Sequence, residues 1–151
     1  MRLNRYDAAL LNEIATDMDL SGAYYRFSIL IAFYGKWTRN GVMPRSTATG
    51  GVTYTNAKAI TEFRDPTDVF LLIDSMLVKY KQDPAYEVEF LAFDLYYLTS
   101  GKATNVRNTK IARLKRLLNS RPYFFLRDYE RSYRSLVERL RVDIIKHLKL
   151  Q

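Results

Sequence analysis

The sequence contains no cysteine, a single histidine and no long run of apolar residues. Without thiols, the chain can form neither disulfides nor thiolate metal sites, and nothing in it indicates an oxidising compartment. Six charged residues interrupt the first twenty positions: Arg2, Arg5, Asp7, Glu13, Asp17 and Asp19. This N-terminus therefore resembles neither a signal peptide nor a membrane span. We expect a cytoplasmic protein without membrane contact, whose N-terminus belongs to the fold.

Recognisable catalytic motifs are also lacking. Gly50-Gly51 has neither the lysine nor the hydroxyl spacing of a phosphate-binding loop. His147 is expected near a helix C-terminus, where a positive side chain favours the helix dipole. Two groups of carboxylates could in principle bind magnesium in a nuclease, although capping and solvent-face roles explain them: Asp65, Asp68 and Asp74, and Glu87, Glu89 and Asp94. We predict no enzymatic activity, no cofactor and no metal site.

What the chain does have is positive charge concentrated in its last third. The whole sequence has a formal net charge of +8. Residues 101–151 contain fourteen lysines and arginines against four acidic residues, so the rest of the chain is slightly negative. Such asymmetry favours a polyanionic partner, because neutralising phosphates releases their counterions. The alternative is a solvated basic face that only keeps the protein soluble.

Apolar residues recur at helical spacing along most of the chain. The pattern predicts a helix over residues 5–18, with Asn4 as its N-cap, and another over residues 23–37. Asp65-Pro66 and Asp83-Pro84 each combine a capping carboxylate with a proline suited to the first helical position. The helix after Asp83-Pro84 is apolar over much of its circumference, which predicts a central place in the core. The predicted fold class is all-α.

Residues 38–64 break the helical pattern. The segment is rich in glycine, threonine, serine and asparagine, and only Val52 to Thr55 alternates like a short strand. Connections this long are often functional or mobile. We predict a long irregular loop here, within a single compact helical domain spanning residues 1–151.

The basic segment, residues 105–149, has the outline of a helix-turn-helix. A short predicted helix over residues 109–118 is followed by a break at 119–122 and a long predicted helix over 123–148. In such motifs the second helix enters the major groove and the first crosses the DNA backbone.

Arginine dominates the charge of this segment, and its planar fork suits phosphate and guanine edges. On the long helix, Arg127, Arg131, Arg134 and Arg141 fall on one arc beside the apolar stripe. A plain solvated surface remains the alternative. The predicted DNA-binding residues are Lys110, Arg113, Lys115, Arg116, Arg121, Arg127, Arg131 and Arg134.

The aromatic run Tyr123-Phe124-Phe125 has two interpretations. Exposed rings could stack on unpaired bases, which would favour RNA or single strands. Buried rings would instead anchor the start of the last helix. We favour the buried interpretation.

Several short motifs occur in an order that resembles a known family. The motifs are Tyr34-Gly35-Lys36-Trp37, a polar Gly/Ser/Thr segment, Asp65-Pro66-Thr67-Asp68 continuing to Ile73-Asp74, Tyr96-Tyr97-Leu98, and Ile111-Ala112. This order is similar to the late antitermination protein Q family of lambdoid phages, in the branch lacking a zinc motif. In that family an aromatic-Gly-basic-Trp element precedes a region similar to region 4 of sigma factors.

The resemblance implies a phage transcription antitermination factor acting in the cytoplasm of a bacterial host cell. Such a protein binds double-stranded DNA near a late promoter and associates with paused host RNA polymerase, with nascent RNA as a further option. The predicted partner-binding residues are Tyr34, Lys36, Trp37, Arg39 and Arg45. The alternatives are a helix-turn-helix repressor or activator, and a small phage nuclease or Holliday-junction resolvase.

Overall fold

A computed structural model describes residues 2–18, 25–40 and 62–151. These ranges contain six α-helices and no β-strand, which confirms the all-α prediction. A 3-10 turn leads into each of the fourth and sixth helices (Pro84–Tyr86 and Pro122–Phe124), and a π-helical turn (Asp94–Leu98) follows the fourth. The helices are α1 (Arg5–Thr16), α2 (Tyr25–Asn40), α3 (Pro66–Gln82), α4 (Glu87–Phe93), α5 (Asn105–Leu118) and α6 (Phe125–Lys149).

Local capping signals set several of these boundaries as predicted. The Asn4 side chain accepts a hydrogen bond from the backbone N–H of Asp7 at 2.8 Å, which makes Asn4 the N-cap of α1. Asp83 accepts from the N–H of Ala85 at 3.0 Å before α4. Pro66 begins α3 as predicted, but the predicted cap at Asp65 is wrong, because its carboxylate makes no cap hydrogen bond and accepts instead from the Asn4 amide at 2.9 Å. Prolines therefore stand where a backbone N–H would have no helical partner.

Two predicted boundaries are wrong by three or four residues, and α1 ends at Thr16 rather than at residue 18. Helix α2 continues to Asn40, so it includes the first three residues of the predicted 38–64 loop. Helix α5 begins at Asn105 rather than at residue 109, because Thr104 accepts from the N–H of Arg107 at 3.1 Å and supplies an earlier N-cap. The strand predicted at residues 52–55 lies outside the described residues.

Helix α6 is the central element, since it contacts each of the other five helices. Its buried stripe includes Tyr133, Leu136, Leu140 and Ile144, as the helical spacing predicts. Leu126 belongs to the same stripe but is 75% exposed, whereas its neighbour Phe125 packs against the core. The stripe is thus buried in the C-terminal part of the helix and only partly covered at its N-terminal end.

The segment after Asp83-Pro84 lies in the core, as its apolar circumference predicts. Ala92, Phe93, Leu95 and Tyr97 are buried there. The sequence did not predict the π-helical turn, which inserts an extra residue into the helical repeat. Tyr96, an exposed residue of this turn, stacks on Tyr133 of α6, with ring centroids 4.0 Å apart.

Helix α2 approaches this π-helical turn most closely at Gly35. A Cβ atom at Gly35 would overlap the carbonyl oxygen of Tyr97. Arg39, one turn further along α2, donates from Nη1 to the same oxygen at 2.8 Å. Gly35 therefore permits the close contact, and Arg39 supplies a partner for a carbonyl at the end of the turn.

A buried carboxylate joins α1 to the start of α3. Asp7 accepts from the backbone N–H groups of Arg64 and Asp65, at 2.8 and 2.9 Å, and from the side-chain amide of Asn4 at 2.8 Å. These three hydrogen bonds compensate for the loss of hydration of the carboxylate. The residues that precede α3 are thereby held against α1.

Candidate nucleic-acid interface

Helix α5 rests on the core through a narrow apolar stripe. Leu114 is buried, and Ile111 and Leu118 are half-buried against the core. The helix ends at Asn119, whose left-handed φ of 46° closes the last turn while its N–H donates to Lys115 O at 3.1 Å. This is a common geometry for a helix C-terminus.

The break between α5 and α6 is short and well defined. Residues 119–121 separate α5 from the 3-10 turn Pro122–Phe124, which runs directly into α6. Within the turn, the N–H of Phe124 donates to the carbonyl of Arg121 at 2.8 Å. The described helices therefore follow the predicted order of short helix, break and long helix.

Two of the predicted DNA-binding residues tie α5 to the core. Lys110 Nζ lies 2.9 Å from Asp94 Oδ2 and also donates to Thr99 Oγ1 at 3.2 Å. Arg113 pairs with Glu87 of α4. Both side chains point toward the α4 region, so the structure gives them an anchoring role that the sequence did not predict.

The remaining predicted residues of α5 and the break are exposed. Arg116 makes no ion pair with any described residue. The Lys115 ammonium lies 5.4 Å from the ring centroid of Phe125. Arg121 Nη1 donates to the hydroxyl of Tyr123 at 3.1 Å.

On α6 the predicted arginines have unequal surroundings. Arg131 is exposed and makes no ion pair within the described ranges. Arg127 and Arg134 form exposed ion pairs with neighbouring acids of α6, Asp128 at 3.3 Å and Glu130 at 2.7 Å. Exposed pairs of this kind contribute little to stability, so both arginines can exchange their partner for a phosphate.

The prediction that Arg141 lies on an accessible arc of α6 with the other arginines is wrong. The sequence places it on the same arc as Arg127, yet it is only 8% exposed. Its guanidinium donates to the carbonyl of Ala15 in α1 at 3.0 Å and to Glu138 at 2.6 and 2.9 Å. Helix α1 covers this part of the arc, which periodicity within α6 cannot reveal.

The prediction that the aromatic run is buried is wrong for Tyr123, which is 71% exposed. Its ring lies 4.5 Å from that of Phe124, and the Arg127 guanidinium lies 4.3 Å from the Phe124 centroid. Phe124 and Phe125 are half-buried. These contacts link cations and rings around the break into one surface, the basic-aromatic tip, formed by Lys115, Arg121, Tyr123, Phe124, Phe125 and Arg127.

The tip lies within a stretch that has no negative side chain. Between Asp94 and Asp128 the sequence contains eight lysines and arginines and no acidic residue. Lys110 and Arg113 are neutralised from outside the stretch by Asp94 and Glu87. The tip cations lack such partners apart from Arg127, so this surface can attract phosphate groups.

A tyrosine cluster beside the tip also escaped sequence prediction. Tyr96, Tyr129 and Tyr133 approach one another with ring centroids 4.0 to 6.4 Å apart. Burial, followed by the proximity of Tyr96, raises the pKa of Tyr133 to about 12. The spacing of Tyr129 and Tyr133 by one helical turn was the available signal, but their partner depends on the π-helical turn.

The predicted partner-binding residues of α2 lie mainly against the core. Tyr34 is 1% exposed and donates its hydroxyl to Asp74 Oδ1 at 2.6 Å, which corrects the expectation that it meets a partner. Trp37 is half-buried, and its ring lies 5.5 Å from Phe70. Arg39 is exposed but bonded to Tyr97, and Lys36 is half-buried. Arg45 lies outside the described residues.

The carboxylates considered for a nuclease have structural partners in most cases. Glu87, Glu89 and Asp94 pair with Arg113, Arg139 and Lys110 respectively. In residues 2–18, 25–40 and 62–151 no three histidine, cysteine or acidic side chains converge as metal ligands would.

None of the described helices combines the length and apolar character needed to cross a membrane. His147 lies in the last turn of α6, as predicted. No protein family model, curated protein or solved structure matches the chain.

Proposed function

We propose that the chain binds double-stranded DNA through α5, the break and the N-terminal part of α6. The observation that supports this proposal is the uninterrupted basic stretch between Asp94 and Asp128, which ends in the exposed basic-aromatic tip. Phosphate contacts supply much of the affinity of DNA-binding proteins, because each one releases condensed counterions. Arginine is well suited to such contacts.

The ion pairs divide the eight predicted residues into two groups. Lys110 and Arg113 have carboxylate partners on other elements, so a phosphate would have to replace those partners. Arg116 and Arg131 have no ion-pair partner among the described residues. The second group should therefore contribute more to DNA affinity than the first.

We further propose that the chain is a phage transcription antitermination factor that binds DNA and host RNA polymerase. Support for this step comes from the order of motifs that resembles the Q family and from the basic segment of this chain. Lys36 and Arg39 remain the proposed contacts with the polymerase, together with Arg45. A helix-turn-helix repressor would share the DNA contact but would have no effect on a polymerase that has already left the promoter.

Combined replacement of Arg116 and Arg131 by alanine tests the DNA contact. We expect the affinity for duplex DNA to fall about tenfold or more and the slope of log K against log salt to become shallower by about 2, since each lost phosphate contact removes about 0.9. Fluorescence anisotropy over a series of salt concentrations measures both quantities. Lys146→Ala with Lys149→Ala is the matched control, because these exposed residues lie at the opposite end of α6.

Equal losses in the two double variants would mean that only net charge matters and would contradict the proposed interface.

Transcription with purified polymerase then tests antitermination. We expect the intact chain to increase read-through of a terminator and the Arg116/Arg131 variant to lose most of this effect. Reduced initiation without read-through would identify a repressor instead.

A further inference from the structure

Tyr123 is an exposed ring held in place by its neighbours. It lies in the 3-10 turn after Pro122, and its hydroxyl accepts a hydrogen bond from Arg121. Its ring contacts Phe124, which in turn lies beneath the guanidinium of Arg127. The ring therefore has little freedom to rotate away from solvent, although it contributes little to the core.

The arrangement has the features of a stacking site for nucleobases. Proteins that bind single strands place aromatic rings between cations, so that bases stack on the rings and phosphates meet the charges. Arg121 contacts the Tyr123 hydroxyl, and Phe124, whose ring lies beneath the Arg127 guanidinium, contacts the Tyr123 ring. Proline at the preceding position limits the backbone freedom that binding would otherwise have to remove.

We propose that Tyr123 stacks on an unpaired base of a single-stranded nucleic acid, with Arg121 and Arg127 contacting the adjacent phosphates. This inference rests on the proposed nucleic-acid-binding function of the same surface and extends it, because the bases of an intact duplex offer no free face. Melted DNA and a nascent transcript both present unpaired bases. Their shared chemistry is an accessible base face beside a phosphate.

Charge favours a nucleic acid over a protein partner at this position. The sequence around Tyr123 is basic, with no acidic residue between Asp94 and Asp128, so contact with the same surface of a second copy would bring like charges together. A purely apolar partner would also have to cover Leu126, the other exposed apolar side chain near the turn. Replacement of Leu126 therefore separates stacking from general apolar contact.

Fluorescence anisotropy with four labelled probes provides the test. The probes are oligothymidylate, oligouridylate, a single strand of abasic sites and a duplex. We expect Tyr123→Leu to weaken binding of the thymidylate or uridylate strand about 5- to 100-fold, the range typical for loss of one stacked base, and to change abasic and duplex binding less than about twofold. Tyr123→Phe should retain the affinity, because it keeps the ring.

Leu126→Ala is the matched control, since Leu126 is as exposed as Tyr123. Unchanged circular dichroism would show that each variant is folded. A loss in Leu126→Ala equal to that in Tyr123→Leu, or full affinity in Tyr123→Leu, would overturn the stacking proposal. Absence of duplex binding by the intact chain would overturn the proposed function instead. Tighter binding of oligothymidylate or of oligouridylate would in either case support stacking. The first result would identify melted DNA as the source of the unpaired base, and the second a transcript.

Discussion

The space available for a side chain differs between Gly35 and Gly101. At Gly35 a Cβ atom would overlap the Tyr97 carbonyl oxygen, whereas at Gly101 it would meet no atom within 4 Å. Alanine improves helix propensity by about 1 kcal/mol, but overpacking against a backbone oxygen costs about 1–3 kcal/mol. We expect Gly35→Ala to lower the free energy of unfolding by up to about 2 kcal/mol, measured by urea denaturation.

Gly101→Ala controls for the loss of glycine flexibility in the unfolded chain. Alanine at an unhindered position is neutral or raises stability by about 0.4–1 kcal/mol. If Gly35→Ala were as stable as Gly101→Ala, α2 and the π-helical turn would not be in the close contact described. In that case the hydrogen bond from Arg39 to the same carbonyl oxygen would also not require glycine at position 35.

Tyr34 should make folding sensitive to alkaline pH. Burial, and then the hydrogen bond to Asp74, raise the pKa of Tyr34 well above its ordinary value. Above about pH 10 the unfolded tyrosine loses its proton while the folded one keeps it, so stability falls as pH rises. Tyr97 acts in the same direction, since burial and then Tyr96 raise its pKa. Each contributes up to about 1.4 kcal/mol per pH unit.

Tyr34→Phe separates the two effects of the hydroxyl. At neutral pH the variant should lose about 1 kcal/mol with the hydrogen bond. Above about pH 10 its stability should decline less steeply than that of the intact chain. Denaturant titrations at a series of pH values measure this, with Tyr123→Phe as an exposed control. Parallel alkaline slopes in the intact chain and Tyr34→Phe would refute the effect.

At the scale of elements, the break between α5 and α6 depends on one backbone angle. Asn119 is the non-glycine residue with a positive φ among those described, and asparagine tolerates this conformation. A β-branched residue does not, so Asn119→Val should lower stability by about 1–2 kcal/mol. Asn119→Gly should be close to neutral. Thermal unfolding of both variants tests this, and equal melting temperatures would show that the break can close in another way.

Helical periodicity and capping predicted most of the helices, but they did not predict which other segments pack against each face of a helix. The spacing of Leu136 and Leu140 identifies the buried side of α6, because apolar period follows helix geometry. It could not reveal that α1 covers Arg141, since that depends on packing between segments more than a hundred residues apart. The same limitation explains Lys110 and Arg113, whose acidic partners come from α4 and the π-helical turn.

The candidate site was predictable in composition and less so in geometry. Counting charges located the basic third, and arginine chemistry indicated phosphate. The exposure of Tyr123 was not predictable, because a run of three aromatic residues usually indicates a core. At the start of α6 only Phe125 packs against the core, and Tyr123 and Leu126 are left in solvent.

At the scale of the whole molecule, α6 connects two regions with different physical properties. Its C-terminal part supplies buried residues such as Leu140 and Ile144, and its first turns adjoin the basic-aromatic tip. Because one continuous helix joins them, the tip has a rigid attachment to the core. Substitutions of the exposed tip residues Arg121, Tyr123 and Arg127 should therefore alter binding without altering folding, and substitutions in the buried stripe should alter folding first.

The position of Trp37 gives the protein a built-in optical probe. It is the only tryptophan in the chain, and its ring lies beside Tyr34 and Phe70, neither of which belongs to the tip. Its emission will therefore report the packing of α2 on α3 and shift when that contact opens. Nucleic acid bound at the tip should leave this signal unchanged. Folding and binding can thus be followed in one sample, by tryptophan emission and by a label on the oligonucleotide.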